Sequence, residues 1–231
     1  MMKKITLALM SLTFLFVGFV NSQVILNAPL TAGTVPANWT NLDIDGVPGD
    51  VFFTDQGIWS TSEWTPVNFG GTFGAALYST GEFATAPTTA SDWLITPQIT
   101  LLSSSVLELQ LIGFATGCTH EIRLATTLAG ATPVPADFGT LITPSIALAG
   151  TQVWTDYTFD LTAYANQTVY IAFVNTTVDN VNTNGVKLTG IRNVKVLQPL
   201  NDDAQAVAIT LGSVDVQSTD YLITDLSYAS Y

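Results

Sequence analysis

Between residues 105 and 114 apolar and polar positions alternate, with Leu107, Leu109 and Leu111 on one parity and Glu108 and Gln110 on the other. Successive strand side chains point to opposite faces, so this spacing predicts a strand with one buried and one wet face. A second such strand is predicted over 120–126, with Ile122 and Leu124 inward and Glu121, Arg123 and Ala125 outward. Over 152–160, Val153, Tyr157 and Phe159 alternate against Trp154, Asp156 and Thr158. The run "TVYIAFV" at 168–174 is apolar on both parities, which predicts a central strand covered on both sides. Residues 51–54, 73–79, 92–102 and 186–197 complete the predicted set.

Turn signals separate these runs: "FGGTFG" at 69–74, "APTTASD" at 86–92, "AGATPVPAD" at 129–137 and "NTNG" at 182–185. "PADFGTLI" at 135–142 offers at most a short helical turn. Charged residues make up only 10% of the chain, which deprives helices of their usual surface residues, while Thr and Val favour strands. Many short strands at this spacing predict an all-β sandwich. Periodicity alone does not choose between jelly-roll and immunoglobulin topology.

The first residues differ in kind. Lys3 and Lys4 precede a nearly continuous apolar run over 5–20, followed by Asn21, Ser22 and Gln23. This reads as a secretory signal peptide over 1–22, shorter than a membrane span needs, so no membrane insertion is expected after cleavage and the product is secreted or held at the cell surface. Without the two leader lysines, four basic residues face 18 acidic ones, a balance of −14. Such a surface excludes nucleic acid as a partner, because phosphate neutralisation needs clustered Lys and Arg. The single cysteine, Cys118, rules out an internal disulfide, so stability comes from the core, with bound ions as the other available source. About 200 mature residues suffice for one such core. After residue 196, "LQPLNDDAQ" reads as a linker, and 198–231 as a short strand-rich appendix too small to bury its own core, expected either to pack on the main sandwich or to begin a second module.

Four ordered motifs, "PANWTNLDIDG" at 36–46, "DWLITPQITL" at 92–101, "PADF" at 135–138 and "WTDYTFDLTAYANQTVYIAF" at 154–173, resemble the cleaved adhesin family, also called the choice-of-anchor J domain. That family occurs in surface and secreted proteins of Bacteroidota, including the haemagglutinin regions of gingipains. The resemblance covers roughly residues 24–197. It implies a jelly-roll β-sandwich of the galactose-binding or MAM-like kind, carried as a non-catalytic part of adhesins and hydrolases, often with calcium. Family members commonly travel by type IX secretion, which requires a C-terminal sorting domain; none is recognised here.

The resemblance also points to an acidic turn, Asp43 and Asp45 with Gly46, whose alternate carboxylates reach one cation. Calcium takes six to eight hard oxygens. The turn is not an EF-hand, since Val47, Pro48 and Thr54 occupy the fifth, sixth and twelfth positions counted from Asp43. Further ligands would come from elsewhere, with Asp50, Asp55 and residues of the last strand as candidates. Near the end of the domain the family's "IDDV"-like ending is "IRNV", 191–194, so Arg192 stands where a carboxylate is expected. Its guanidinium could replace the ion by pairing with Asp43 or Asp45. The turn is therefore either a calcium site or a solvated, salt-bridged loop.

Trp39, Trp93 and Trp154 lie beside apolar strands and are expected in the core. Trp59 and Trp64 sit in the loop-like "DQGIWSTSEWTPVNFGG", 55–71, and are candidates either to hold a sugar ring or to cover the sandwich edge. His120 shares parity with core residues and has no second histidine beside it, which speaks against a histidine metal site. Cys118 is read as a buried free thiol, since no orienting third group or oxyanion nest accompanies the Cys-His pair. Nothing marks Glu63, Glu82, Glu108 or Glu121 as a hydrolytic pair, and Glu108 and Glu121 are placed at solvent parity on adjacent strands. The expectation is a non-catalytic adhesion module for an extracellular glycan or a host or matrix protein, with self-association through the C-terminal segment. The alternative is a carbohydrate-binding accessory module of a truncated secreted hydrolase.

Overall fold

Alternating strands bury their apolar parity only by closing against a second sheet, and that closure is what the chain adopts. The computed structural model describes residues 22–31, 34–47, 63–83, 88–179 and 186–199. The expected strand at 51–54, most of the leader 1–22 and most of the appendix 198–231 lie outside the described residues.

In chain order the strands are β1 (Ser22–Ala28), β2 (Thr40–Asp43), β3 (Thr65–Asn68), β4 (Ala75–Thr80), β5 (Thr88–Thr89), β6 (Asp92–Ile95), β7 (Ile99–Thr100), β8 (Val106–Gly113), β9 (Thr119–Ala125), β10 (Thr140–Leu141), β11 (Ile146–Ala147), β12 (Thr155–Asp160), β13 (Thr168–Asn175), β14 (Val178–Asp179) and β15 (Leu188–Pro199). The first sheet runs β12-β8-β15-β4-β3, with β1 also on β15. The second runs β10-β9-β13-β6-β2, with β11 on β9 and β7 on β13; β5 and β14 form a small pair. Every pairing is antiparallel. Among the described residues two short 3-10 turns interrupt the β structure, Pro135–Asp137 and Thr162–Tyr164. The architecture is an all-β jelly-roll sandwich.

Leu107, Leu109, Leu111, Ile191, Val194 and Val196 of the first sheet meet Leu94, Ile122, Leu124, Ile171 and Phe173 of the second in the main core. The parity expected for β8, β9 and β13 is the parity observed. β13 is covered on its far side too, where Ala172 and Val174 join Trp93, Ile95 and Phe138 in an outer cluster. The cover comes from the loop before β10. Asp137 closes that loop by accepting hydrogen bonds from the Ala129 and Val134 amides, and Phe138 lies 5.7 Å from the Trp93 ring.

Two expectations change. The run 92–102 is broken at 96–98 into β6 and β7, because Thr96 turns its hydroxyl to the Ile171 amide at the break. β8 and β9, consecutive in sequence, belong to different sheets, so Glu108 and Glu121 face solvent on opposite sides of the molecule and not on adjacent strands. The intervening "ATGC" turn carries the chain across the core, and Cys118 at its end is buried and unpaired.

Candidate functional site: an acidic cluster and a polar groove

At one end of the sandwich the core changes from apolar to polar. Asp43 on β2 stands directly opposite Asp92 on β6, and Asn175 on β13 opposes Asp92 from the other side. Directly opposed antiparallel positions place their Cβ atoms about 5 Å apart, and like charges there repel. Asp45, two residues past the strand, is drawn to the same place: one carboxylate oxygen accepts from the Ser91 amide at 2.6 Å, the other from Val47 at 3.0 Å. Asp43 accepts from the Gly46 amide at 2.7 Å, where Gly46 takes a left-handed φ of 62°. Ligand oxygens of Asp43, Asp45 and Asp92 all lie within 4.8 Å of one another.

Asp92 is the member that distinguishes this set from an ordinary acidic surface. It is completely buried. Its Oδ2 accepts from the Ser79 hydroxyl at 2.6 Å, and Ser79 in turn accepts from Asn175. Its Oδ1 is buried without any hydrogen-bond partner. Burial, followed by the nearby Asp45, Asp43 and Glu63 charges and against the Ser79 bond, pushes the carboxyl up to about 9. Burial also raises Asp45. Carboxylate oxygens of this kind are hard ligands, and an orphaned buried oxygen among them fits a bound calcium, so the three residues could hold such an ion.

The candidates read from sequence separate here. Asp43 and Asp45 are brought together; Asp50, Asp55 and Trp59 lie outside the described residues. Trp64 is not an exposed sugar platform. Its side chain is 1% exposed, and its indole N–H donates to the Asp92 carbonyl at 3.1 Å, so it plugs the core beneath the cluster. Its local sequence is polar and glycine-rich, but β3 folds it inward. Arg192 does not replace the ion either. It lies on the outer face of the first sheet, with its guanidinium carbon 4.1 Å from the Trp154 ring centroid and its Nε on the Gln110 carbonyl. Asp92 was visible only as part of a motif; an acid at the head of a fully apolar run was the signal that could have marked it.

His120, buried beside Trp64, is bonded to the Thr189 hydroxyl. Thr189 gives its own proton to the Ile112 carbonyl, so the network places a proton on His120 Nε2. Burial pushes its pKa down to about 3.

A second organised set of polar groups crosses β8, β12 and β15 on the outer face of the first sheet. There Glu108, Gln110, Asp156, Thr158, Asn193 and Lys195 line an open cavity of about 270 Å³. Trp154, expected in the core, is half-buried on this face. Its indole N–H is fixed to the Phe73 carbonyl at 2.9 Å.

The fold and these features define a class, the antiparallel jelly-roll sandwiches that present polar sites on their faces and ends. More particularly, the chain shares its fold with the cleaved adhesin domains of Lys-gingipain from Porphyromonas gingivalis W83. The K3 domain superposes with a TM-score of 0.55 at 17% identity, covering 77% of this chain and 99% of that domain. The K1 domain gives 0.51 at 18% identity, covering 76% and 96%. No family model matches the sequence, and no curated protein matches it.

Proposed function

We propose that the chain is an exported, non-catalytic binding module that attaches to an extracellular glycan or to a host or matrix protein. In this reading residues 1–22 are its leader, 23–197 the module and 198–231 an appended segment. The observation that carries the reading is the groove across β8, β12 and β15, where hydrogen-bonding side chains are held in place on a rigid sheet. Its two carboxylates, Glu108 and Asp156, stand on neighbouring strands of one face and point the same way. Glycoside hydrolysis needs two carboxyl groups flanking the scissile bond from opposite sides, so this arrangement suits holding a ligand and not cleaving it. The adhesin domains of like fold support the same reading.

Calcium belongs to this proposal as a structural ion. Asp43, Asp45 and Asp92 would hold it with backbone carbonyls and water, and it would neutralise the opposed carboxylates that tie β2 and the 44–47 turn to β6.

The direct test presents the purified mature chain to immobilised polysaccharides and to collagen, fibrinogen and laminin, alongside assays on chromogenic glycosides and esters. Saturable retention on one surface without turnover is the expected result. Turnover above blank, or retention on none of the surfaces, would remove the proposal.

A further inference from the structure

The groove names its own ligand class more closely than "glycan or protein", and this inference rests on the binding-module reading above. We propose that it takes a neutral, hydroxyl-rich chain, a hexose-based polysaccharide, with Asp156, Glu108 and Lys195 as the contacting residues.

The groove is built by a defect in β15. Between Arg192 and Lys195 the register with β8 shifts by a bulge, at which Asn193 takes a left-handed φ of 54°. Without the bulge, Arg192 and Lys195, three positions apart, would face opposite sides. With it, Arg192 pairs with Gln110 and Lys195 with Glu108, and all four share the outer face while Val194 stays in the core. Bulges of this kind re-aim side chains beside functional sites.

The floor is pre-organised around Gln110. Its carbonyl accepts from Arg192 Nε at 2.8 Å and from the Asn193 amide at 2.9 Å, and its own amide donates to Asp156 at 2.8 Å. Trp154 holds Arg192 from the side. A ligand therefore meets groups that are already ordered, which lowers the cost of binding. Among the described residues Lys195 and Glu108, opposite one another, make no hydrogen bond or ion pair, so both are available to a ligand.

The charge balance selects the class. The chain carries a net −12, yet here Lys195 lines the groove with Glu108 and Asp156, and Arg192 borders its floor through Gln110, so charges of both signs stand together. The other two basic residues of the module are committed elsewhere, Arg123 to Glu121 at 2.6 Å and Lys187 to Asp179 at 3.8 Å. A polyanion would meet Glu108 and Asp156 at close range, and a polycation would meet Lys195 and Arg192. A sugar hydroxyl donates to a carboxylate and accepts from an ammonium, so vicinal hydroxyls satisfy both. Arg192 already occupies the Trp154 face, which leaves hydrogen bonding and not ring stacking as the mode.

Affinity electrophoresis of the mature chain through gels containing galactan, glucomannan or polygalacturonate tests this. At least one neutral polymer should retard the parent protein. Asp156→Ala and Lys195→Ala should each weaken that binding roughly tenfold, as expected for a lost charged hydrogen bond. Tyr170→Ala, in the groove of Asn38, Gln98 and Thr132 on the opposite sheet, should not change it. Retardation by polygalacturonate alone would overturn the inference, as would a neutral polymer that holds the Asp156 and Lys195 variants like the parent. Retention by collagen, fibrinogen or laminin with no retardation by any polymer would sink this inference and leave the binding-module reading standing. Failure on every surface would end both.

Discussion

Trp64 shows how far a residue's local sequence can mislead about its place. Polar and glycine neighbours suggest a loop aromatic, yet the indole is among the largest fully buried side chains and touches His120 at 5.5 Å between ring centroids. Trp64→Ala is expected to destabilise the fold by about 3–5 kcal/mol, the usual cost of removing a buried large aromatic. Urea unfolding would read it, and a loss well under 1 kcal/mol would show the ring to be dispensable. Asp92 and His120 make opposite predictions for pH. Asp92 is raised to about 9 from 3.8, so its contribution is complete below the unfolded value and is lost as pH climbs through about 9. His120 is lowered to about 3 from 6.5, so its contribution is present above 6.5 and lost as pH falls towards 3. Between 3.8 and 6.5 the two oppose one another; above 6.5 Asp92 acts without His120. With calcium chelated, the urea midpoint should therefore fall from pH 6.5 to 9, and Asp92→Asn should flatten that fall. An equally steep fall in the variant would assign it to another group.

β15 is the element on which the molecule turns. Its twelve residues pair with β8 along one edge and with β4 and then β1 along the other. Near its start Gly190 packs against Tyr78 so closely that an added Cβ would lie 2.7 Å from two ring carbons. Gly190→Ala should cost about 1–3 kcal/mol through overpacking and should disturb the Tyr78 environment, where the ring stands 4.8 Å from Phe69. Near-UV circular dichroism with thermal melting checks both; an unchanged spectrum and melting point would contradict the packing. β15 also marks the limit of reading strands from parity. Alternation correctly placed Leu107, Leu109, Leu111, Ile122 and Leu124 inward, because a period of two is a local property. It could not show the bulge at Asn193, since nothing in "IRNV" alone says that the ladder slips there.

At the scale of the whole molecule, the two sheets carry no disulfide and rest on a core that one polar layer closes at its end. Calcium bound only by the folded form should raise the melting temperature, by an amount that grows with concentration as RT ln(1 + [Ca]/Kd). The shift should be abolished in Asp43→Asn and Asp92→Asn and reversed by chelator. A calcium shift that survives in both variants would place the ion elsewhere. Reducing agent should leave the melting temperature unchanged, because Cys118 is buried and unpaired.

Strand parity, the β class, the doubly covered β13 and the buried thiol and imidazole were all legible in the chain, because each follows from periodicity or from the chemistry of one residue. The cluster was half legible: Asp43 and Asp45 stand together in sequence, but Asp92 joins them only through the β2–β6 register. Arg192 was free on paper to reach that cluster, and the tertiary structure set it on the opposite sheet over Trp154, 38 residues away in sequence. Hydrophobic alternation determines which way a side chain faces, but only the closure of the two sheets decides what it faces, since those contacts join segments whose separation along the chain carries no signal of their meeting.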